Sequence, residues 1–273
     1  MSFGSLLSQK LYRAGEAVDL LWTYAADATT RRTLVRIYAS LSDRSLYQKQ
    51  VNLRLRIHGE LFSFQMRYGD VFVLGEILHE KQYALQSQLP PRPVIVDAGA
   101  NIGISAMWFL GCYPDATLHA FEPASGNYRL LAENFAHVEG ARIFQAALGK
   151  RAAEMTLYHG DSPGEHSLMS YGIGEEEERV PVITLASHME AEKLDRIDLL
   201  KLDVEGSELD VLVGLGERIR DVRVLVGEVH EKLVDESEFY RFLDEHGFRI
   251  CHKHYFRESD LEHVHGFEAV LAS

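Results

Sequence analysis

Val94-Ile95-Val96-Asp97-Ala98-Gly99-Ala100-Asn101-Ile102-Gly103 is the stretch that decides the fold. Three β-branched apolar residues lead into an acid, and two glycines follow. The apolar run fits a strand buried on both faces, ending near Asp97. Gly99 and Gly103 permit a tight turn and a close backbone approach to a ligand. Ile102 to Leu110 then reads as a helix. Strand, glycine-bearing turn and helix form the first half of a nucleotide-binding crossover.

The surrounding chain of 273 residues is 46% hydrophobic, enough for one large domain, or a core with an appendage. A net charge of −13 argues against a nucleic-acid partner and against docking on anionic lipid. Cys112 and Cys251 lie far apart in no metal or redox spacing and read as reduced thiols of a cytoplasmic protein. No stretch approaches the ~20 apolar residues of a membrane span. The N-terminus lacks the apolar run of a signal peptide.

Residues 2–45 read as two helices, the second over about Thr30–Leu41. They suit core packing, a homodimer surface or a lid. Val51–Ile57 and Leu61–Met66 alternate around His58-Gly59-Glu60 as a β-hairpin. Asp70–Leu78 reads as a short helix and Lys81–Leu89 as a linker. Pro90, Pro91 and Pro93 then mark a boundary between a cover (1–90) and a core domain (91–273). Beyond it strands and helices alternate: strands at Ala116–Phe121, Ala141–Ala146, Ile197–Asp203 and Val222–Val229, helices at Asn127–Phe135, Glu208–Leu215 and Glu236–Glu245. Glu154–Tyr158 is an extra strand, Gly160–Arg179 a loop, and Val180–Leu185 extended. Phe248–His252 and Phe267–Leu271 close the chain as an antiparallel pair. The pattern predicts an α/β fold with a mostly parallel sheet and an antiparallel edge.

The ligand follows from what the central turn lacks. A dinucleotide turn requires Gly-x-Gly-x-x-Gly. Here Asn101 occupies the middle glycine position, and the pattern is Asp-x-Gly-x-Asn-x-Gly. An acid at the strand end suits a cationic or amino-bearing ligand. Glu122, at the end of the next strand, can accept both hydroxyls of a ribose. Together they suit a nucleoside with an amino-acid tail, S-adenosylmethionine. The reductase alternative also lacks a Tyr-x-x-x-Lys pair.

Three blocks resemble the FkbM-type methyltransferases: Val96–Gly103 with Phe121-Glu122-Pro123; Asp198–Glu208, carrying Lys-x-Asp-x-Glu-Gly-x-Glu; and Val226-Gly227-Glu228-Val229-His230. The resemblance covers Val94 to about Ile250. It implies a Rossmann-like class I methyltransferase fold with seven strands and the cofactor at their carboxyl ends. The cofactor-binding set it implies is Asp97, Gly99, Ala100, Asn101, Gly103, Glu122, Pro123, Ala147 and Asp203. It also implies that His166 and Ser167, on a candidate lid over Gly160–Gly174, face the acceptor; a solvated loop is the alternative.

Lys201, Asp203 and Glu205 alternate at one strand end, and Glu228 and His230 at its neighbour. Methyl transfer needs the acceptor oxygen held in line with the methyl group. His230 is the natural general base, with a structural histidine as its alternative. Asp203 would position the acceptor or the methionine amino group. Glu205 either serves the site or caps the following helix. Lys201 and Glu228 are placed with the acceptor, Lys201 also neutralising the acids. Asp203, Glu228 and His230 could gather a divalent ion, as could His252-x-His254 with His263-x-His265, but no metal is assigned. The expectation is an S-adenosylmethionine-dependent O-methyltransferase acting on a hydroxyl or carboxylate of a small molecule or saccharide. The rivals are a nicotinamide-dependent oxidoreductase and a non-catalytic cofactor-binding partner.

Overall fold

The computed structural model describes residues 3–159, 166–167, 177–255 and 263–272. The chain divides into two compact units, Met1–Gln82 with Met107–Pro114, and Tyr83–Ala106 with Asp115–Ser273. In the first, helix α1 (Phe3–Asp19) continues through a π-wound turn at Leu20–Tyr24, and α2 (Ala28–Ala39) follows. Asp27 caps α2 by accepting from Thr30 N at 2.8 Å. Strands β1 (Gln50–Ile57) and β2 (Glu60–Arg67) form the hairpin, joined by His58 and Gly59 alone, both with left-handed backbone. Leu53, Leu55 and Ile57 point inward and their neighbours outward, the alternation visible in the sequence. Helix α3 spans Val71–Leu78.

The second unit is built on β3 (Val94–Ala98), β4 (Thr117–Phe121), α5 (Ser125–Phe135) and β5 (Ala141–Phe144); α4 (Ile104–Cys112), between β3 and β4 in the chain, falls mostly in the first. Then come β6 (Ala147–Leu148), β7 (Ala153–His159), β8 (His166–Ser167), β9 (Glu177–Ile183) and α6 (Leu185–Glu192). The last elements are β10 (Ile197–Leu202), α7 (Glu208–Val213), β11 (Val222–His230), α8 (Glu236–Glu245), β12 (Phe248–Tyr255) and β13 (Val264–Leu271). Seven strands lie in the order β12-β13-β11-β10-β3-β4-β5. All run parallel except β13, which is antiparallel to both neighbours and therefore sits one place in from the edge. The apolar runs explain the centre: every residue of β10 is buried. From β3 the chain steps outward to β4 and β5, then returns to β10 on the other side. This reversal between β3 and β10 opens a crevice at their carboxyl ends, where ligands bind in such sheets.

Two features depart from the sequence reading. The sequence reading carries the extended segment at Val180 through Leu185 and places no helix there, but β9 ends at Ile183. Thr184 stops it, accepts from Ser187 N and starts α6. The extra strand β7 joins β6, β8 and β9 in a second, four-stranded sheet.

Helix α6 brings His188 against His119 of β4, with Nδ1 of His119 2.8 Å from Nε2 of His188 and both rings buried. Burial keeps both neutral, their pKa values pushed down to about 4. In the unfolded chain each ring takes its proton near pH 6.5. Between pH 6.5 and 4 the unfolded state therefore binds more protons, and stability falls as pH falls. The expected loss from pH 7.5 to 4.5 is about 2–3 kcal/mol for each ring, about 5 kcal/mol for the pair. Urea unfolding at the two pH values should show it, and the double variant His119→Phe/His188→Leu should show much less. An equal loss in that variant would exclude the pair as the cause.

Candidate active site

Lys201 stands level with Asp97 across the β3–β10 pairing. Its buried ammonium donates to Gly99 O at 2.6 Å and lies 3.2 Å from Asp97 Oδ1 and 3.3 Å from Asp203 Oδ2. Burial favours the neutral amine, but Asp97 and Asp203 outweigh it and hold the lysine above its usual range. Burial likewise acts to raise Asp203, but Lys201, His230 and the Tyr83 hydroxyl bring it below the usual carboxylate range. Asp97 Oδ2 accepts from the Ser105 hydroxyl at 2.6 Å. Lys201, read from sequence as an acceptor-facing residue, thus spends its donors inside the protein, tying two acids to one turn.

Gly99 has φ +79°, and a methyl group on it would stand 1.8 Å from the carbonyl oxygen of Asp203. The glycine lets two strand ends meet, where the sequence suggested approach to a ligand. At Gly103 (φ +97°) the added carbon would strike the ring of Phe135 at 2.3 Å, so this glycine seats α5. Asn101 is also left-handed, and the turn delays the helix to Ile104, two residues later than the periodicity suggests.

Beside this turn lies an open cleft. Gly99, Asn101, Glu122, Pro123, Ala147 and Asp203 line it, all in the sequence-derived cofactor set. Asp97, Ala100 and Gly103 of that set are not among its lining residues. Ala100 N instead donates to Phe121 O at 2.9 Å. Sequence reasoning missed Asn127 and Ser207, and the apolar wall of Phe121, Leu148, Leu157 and Val204. Asn127, in the first turn of the helix after Glu122, carried a usable signal; Leu157, from the small sheet, carried none. Glu122 Oε2 accepts from Asn101 N and Oε1 from Ala124 N, each at 2.9 Å. Burial pushes its pKa up to about 7. The buried Asn101 Oδ1 has no hydrogen-bond partner among the described residues. Glu122, Asp203 and Glu205 are acidic lining groups, and no described Lys or Arg lines the cleft.

Past Asp203 the cleft meets a second set of acids. His230 Nδ1 is 2.7 Å from Oε1 of the fully buried Glu208. Its Nε2 is 3.3 Å from Glu205 Oε2 and 3.8 Å from Glu228 Oε2. Burial opposes a charge on the ring. The Glu208 hydrogen bond and the charges of Glu205, Glu208 and Glu228 outweigh it and hold the imidazole well above its usual pKa. Both nitrogens face carboxylates and the ring keeps its proton near neutrality, so the arrangement does not present His230 as a free base. Glu205 has left-handed backbone (φ +50°), as does Gly206. Gly206 N is held by Glu208 Oε1 at 3.1 Å, so Glu208, not Glu205, secures the start of α7. The linker contributes a residue that the sequence reading passed over: Tyr83 donates its hydroxyl to Asp203 Oδ2 at 3.0 Å and reaches Glu228 Oε1 at 3.5 Å. Its ring lies 5.5 Å from Lys201 Nζ.

The backbone of His166 and Ser167 pairs with β7; their side chains, and most of the candidate lid, lie outside the described residues. On the other histidine set, His252 and His254 stack at 5.4 Å, while His265 faces Glu231 Oε1 at 2.8 Å and the Tyr240 hydroxyl at 2.7 Å. No described helix is long and apolar enough to cross a membrane.

The mostly parallel sheet, reversing beside a cleft with acidic and no basic side chains among the described lining residues, has the Rossmann-like methyltransferase architecture. Residues 97–250 match the model of the methyltransferase FkbM domain, and the chain belongs to that family. It is 30% identical over 213 residues to methyltransferase sdnD of Sordaria araneosa, covering 66% of this chain and 82% of the relative. It is 31% identical over 216 residues to the 31-O-demethyl-FK506 methyltransferase FkbM of Streptomyces tacrolimicus, with the same coverage. The crystal structure of a methyltransferase FkbM from Methylobacillus flagellatus aligns at a TM-score of 0.50 and 15% identity. That alignment takes in 97% of this chain and 60% of the other, a likeness of fold. The protein is a methyltransferase.

Proposed function

We propose that the protein transfers a methyl group from S-adenosylmethionine to a hydroxyl of a small molecule or saccharide. The observation that carries this reading is the acidic cleft at the β3–β10 reversal, with Glu122 and the unpartnered Asn101 Oδ1 along it. The residues fit the donor. The Glu122 carboxylate lines the cleft and accepts from Asn101 N, Ala124 N and the Asn127 side chain, which leaves acceptor capacity for a ribose hydroxyl. Phe121, Leu148 and Leu157 offer an apolar slot for a base, and Asp203 an acid for an amino group. When bound, the donor supplies a methyl group on a positively charged sulfur. The chain's own residues hold the reactants in line and keep water out. Asp203 and Glu228, on adjacent strand ends, face the acceptor side; Lys201 and Tyr83 fix Asp203 from behind. The 31-O position in the name of the Streptomyces relative agrees with a hydroxyl acceptor.

Calorimetric titration of the folded protein with S-adenosylmethionine should show one binding event. Glu122→Gln should weaken it about ten- to a hundredfold, the equivalent of one or two charge-assisted hydrogen bonds. No binding to folded wild-type protein would refute the reading, and an unchanged affinity in Glu122→Gln would refute this role for Glu122.

A further inference from the structure

We propose that Asp203, Glu228 and His230 form a site for one divalent first-row metal ion, with Mn2+ as its probe, on the acceptor side of the cleft. The ion's chemical use rests on the methyl-transfer reading; its binding does not. One ligand atom from each residue lies within 4.8 Å of the others. Two ligands on one ion, with bonds of about 2.1 Å, stand about 3–4 Å apart, so a small closing movement completes the contact. The donor set is two carboxylates and an imidazole, which suits a first-row divalent ion better than the all-oxygen cage of Ca2+ or the thiolate sites of structural zinc.

The supporting groups are those such a site requires. β10 and β11 are hydrogen-bonded neighbours, with Leu202 level with Gly227, so Asp203 and Glu228 come from adjacent strand ends of the central sheet. Buried Glu208 takes the Nδ1 side of His230 and turns Nε2 toward Glu205 and Glu228. A carboxylate on the far nitrogen is the usual means of orienting a metal-binding histidine, and the ion would take the place of the proton on Nε2, which is released to solvent. The Tyr83 hydroxyl ties Asp203 to Glu228 from the linker. Glu205, Glu208 and Glu228 all stand within 4 Å of the His230 ring nitrogens, and Asp203 is shared with the Lys201 ammonium, which also faces Asp97. An ion held here would make a bound hydroxyl more acidic. Asp203 also lines the cleft, placing that chemistry next to the donor.

The test is a Mn2+ titration of the full chain, followed by loss of the free-ion electron paramagnetic resonance signal. One saturable site is expected. Asp203→Asn and Glu228→Gln should each weaken it at least tenfold, while Asp210→Asn, an exposed acid paired with Lys150, should leave it unchanged. In case a variant fails to fold, the wild-type Mn2+ complex provides a second readout: a nitrogen hyperfine coupling from His230. Absence of saturable binding, equal affinity in folded Glu228→Gln, or bound Mn2+ without nitrogen coupling would overturn the proposal. A parallel titration with S-adenosylmethionine separates the two readings. Donor binding without Mn2+ binding removes the metal site alone; Mn2+ binding without donor binding removes the donor reading alone.

Discussion

Gly99→Ala is expected to destabilise the protein by about 3–4 kcal/mol, combining the left-handed backbone penalty with overpacking. It should also abolish donor binding. The added methyl would lie 1.8 Å from Asp203 O, a distance no contact tolerates, and its obstacle is main chain rather than a movable side chain. Relief requires the β3 turn and the Asp203 segment to separate. That movement would break the bond from Asp203 N to Ala98 O and withdraw Gly99 O from Lys201. Urea unfolding measures the first effect and calorimetry the second. A variant of wild-type stability that still bound donor would show that the two strand ends do not depend on this approach.

The second large effect is expected at Lys201. Lys201→Met keeps much of the side-chain length and removes the charge, leaving the buried Asp97 carboxylate without its cation. Breaking one side of a buried ion pair costs about 3–5 kcal/mol. The pH dependence has a definite sign. In the wild type Asp203 is held low and Lys201 high, so the pair stays charged from pH 5 to 8. In the variant the stranded acids protonate more readily, so the stability gap should be wider at pH 8 than at pH 5. Lys201→Met/Asp97→Asn should recover part of the loss, since removing both partners leaves less uncompensated charge. A gap independent of pH, with no recovery in the double variant, would show that Lys201 acts by packing alone.

What could be read from the chain follows a physical line. Val94–Ala98, Ile197–Leu202 and Val222–His230 are apolar runs ending in acids. Strands buried on both faces need such runs, and the acids mark their carboxyl ends. Asp97, Glu122, Asp203 and Glu228 were therefore legible as acids at strand ends. Tyr83 was not legible: it lies in an aperiodic linker, and its partners are 120 and 145 residues away. Helix α6 has eight residues and begins as soon as β9 ends, too short to show a period of its own. The surroundings of Gly99 and His230 were not legible for a common reason. Each is set by what another strand end brings close, the Asp203 carbonyl in one case and the Glu205 and Glu208 carboxylates in the other. Such neighbours have no signature in local spacing.

The acidic lining of the cleft, with no Lys or Arg among its described residues, has a consequence for turnover. Methyl transfer converts a sulfonium into a neutral thioether, so the spent donor leaves without the charge that Glu122, Asp203 and Glu205 attract. Glu122 and Asp203 would keep their ribose and amino contacts with the product and lose only the attraction to the sulfonium. On this reading the cleft sorts fresh from exhausted molecules by charge, and added salt should narrow the preference by screening the fresh donor more than the spent one.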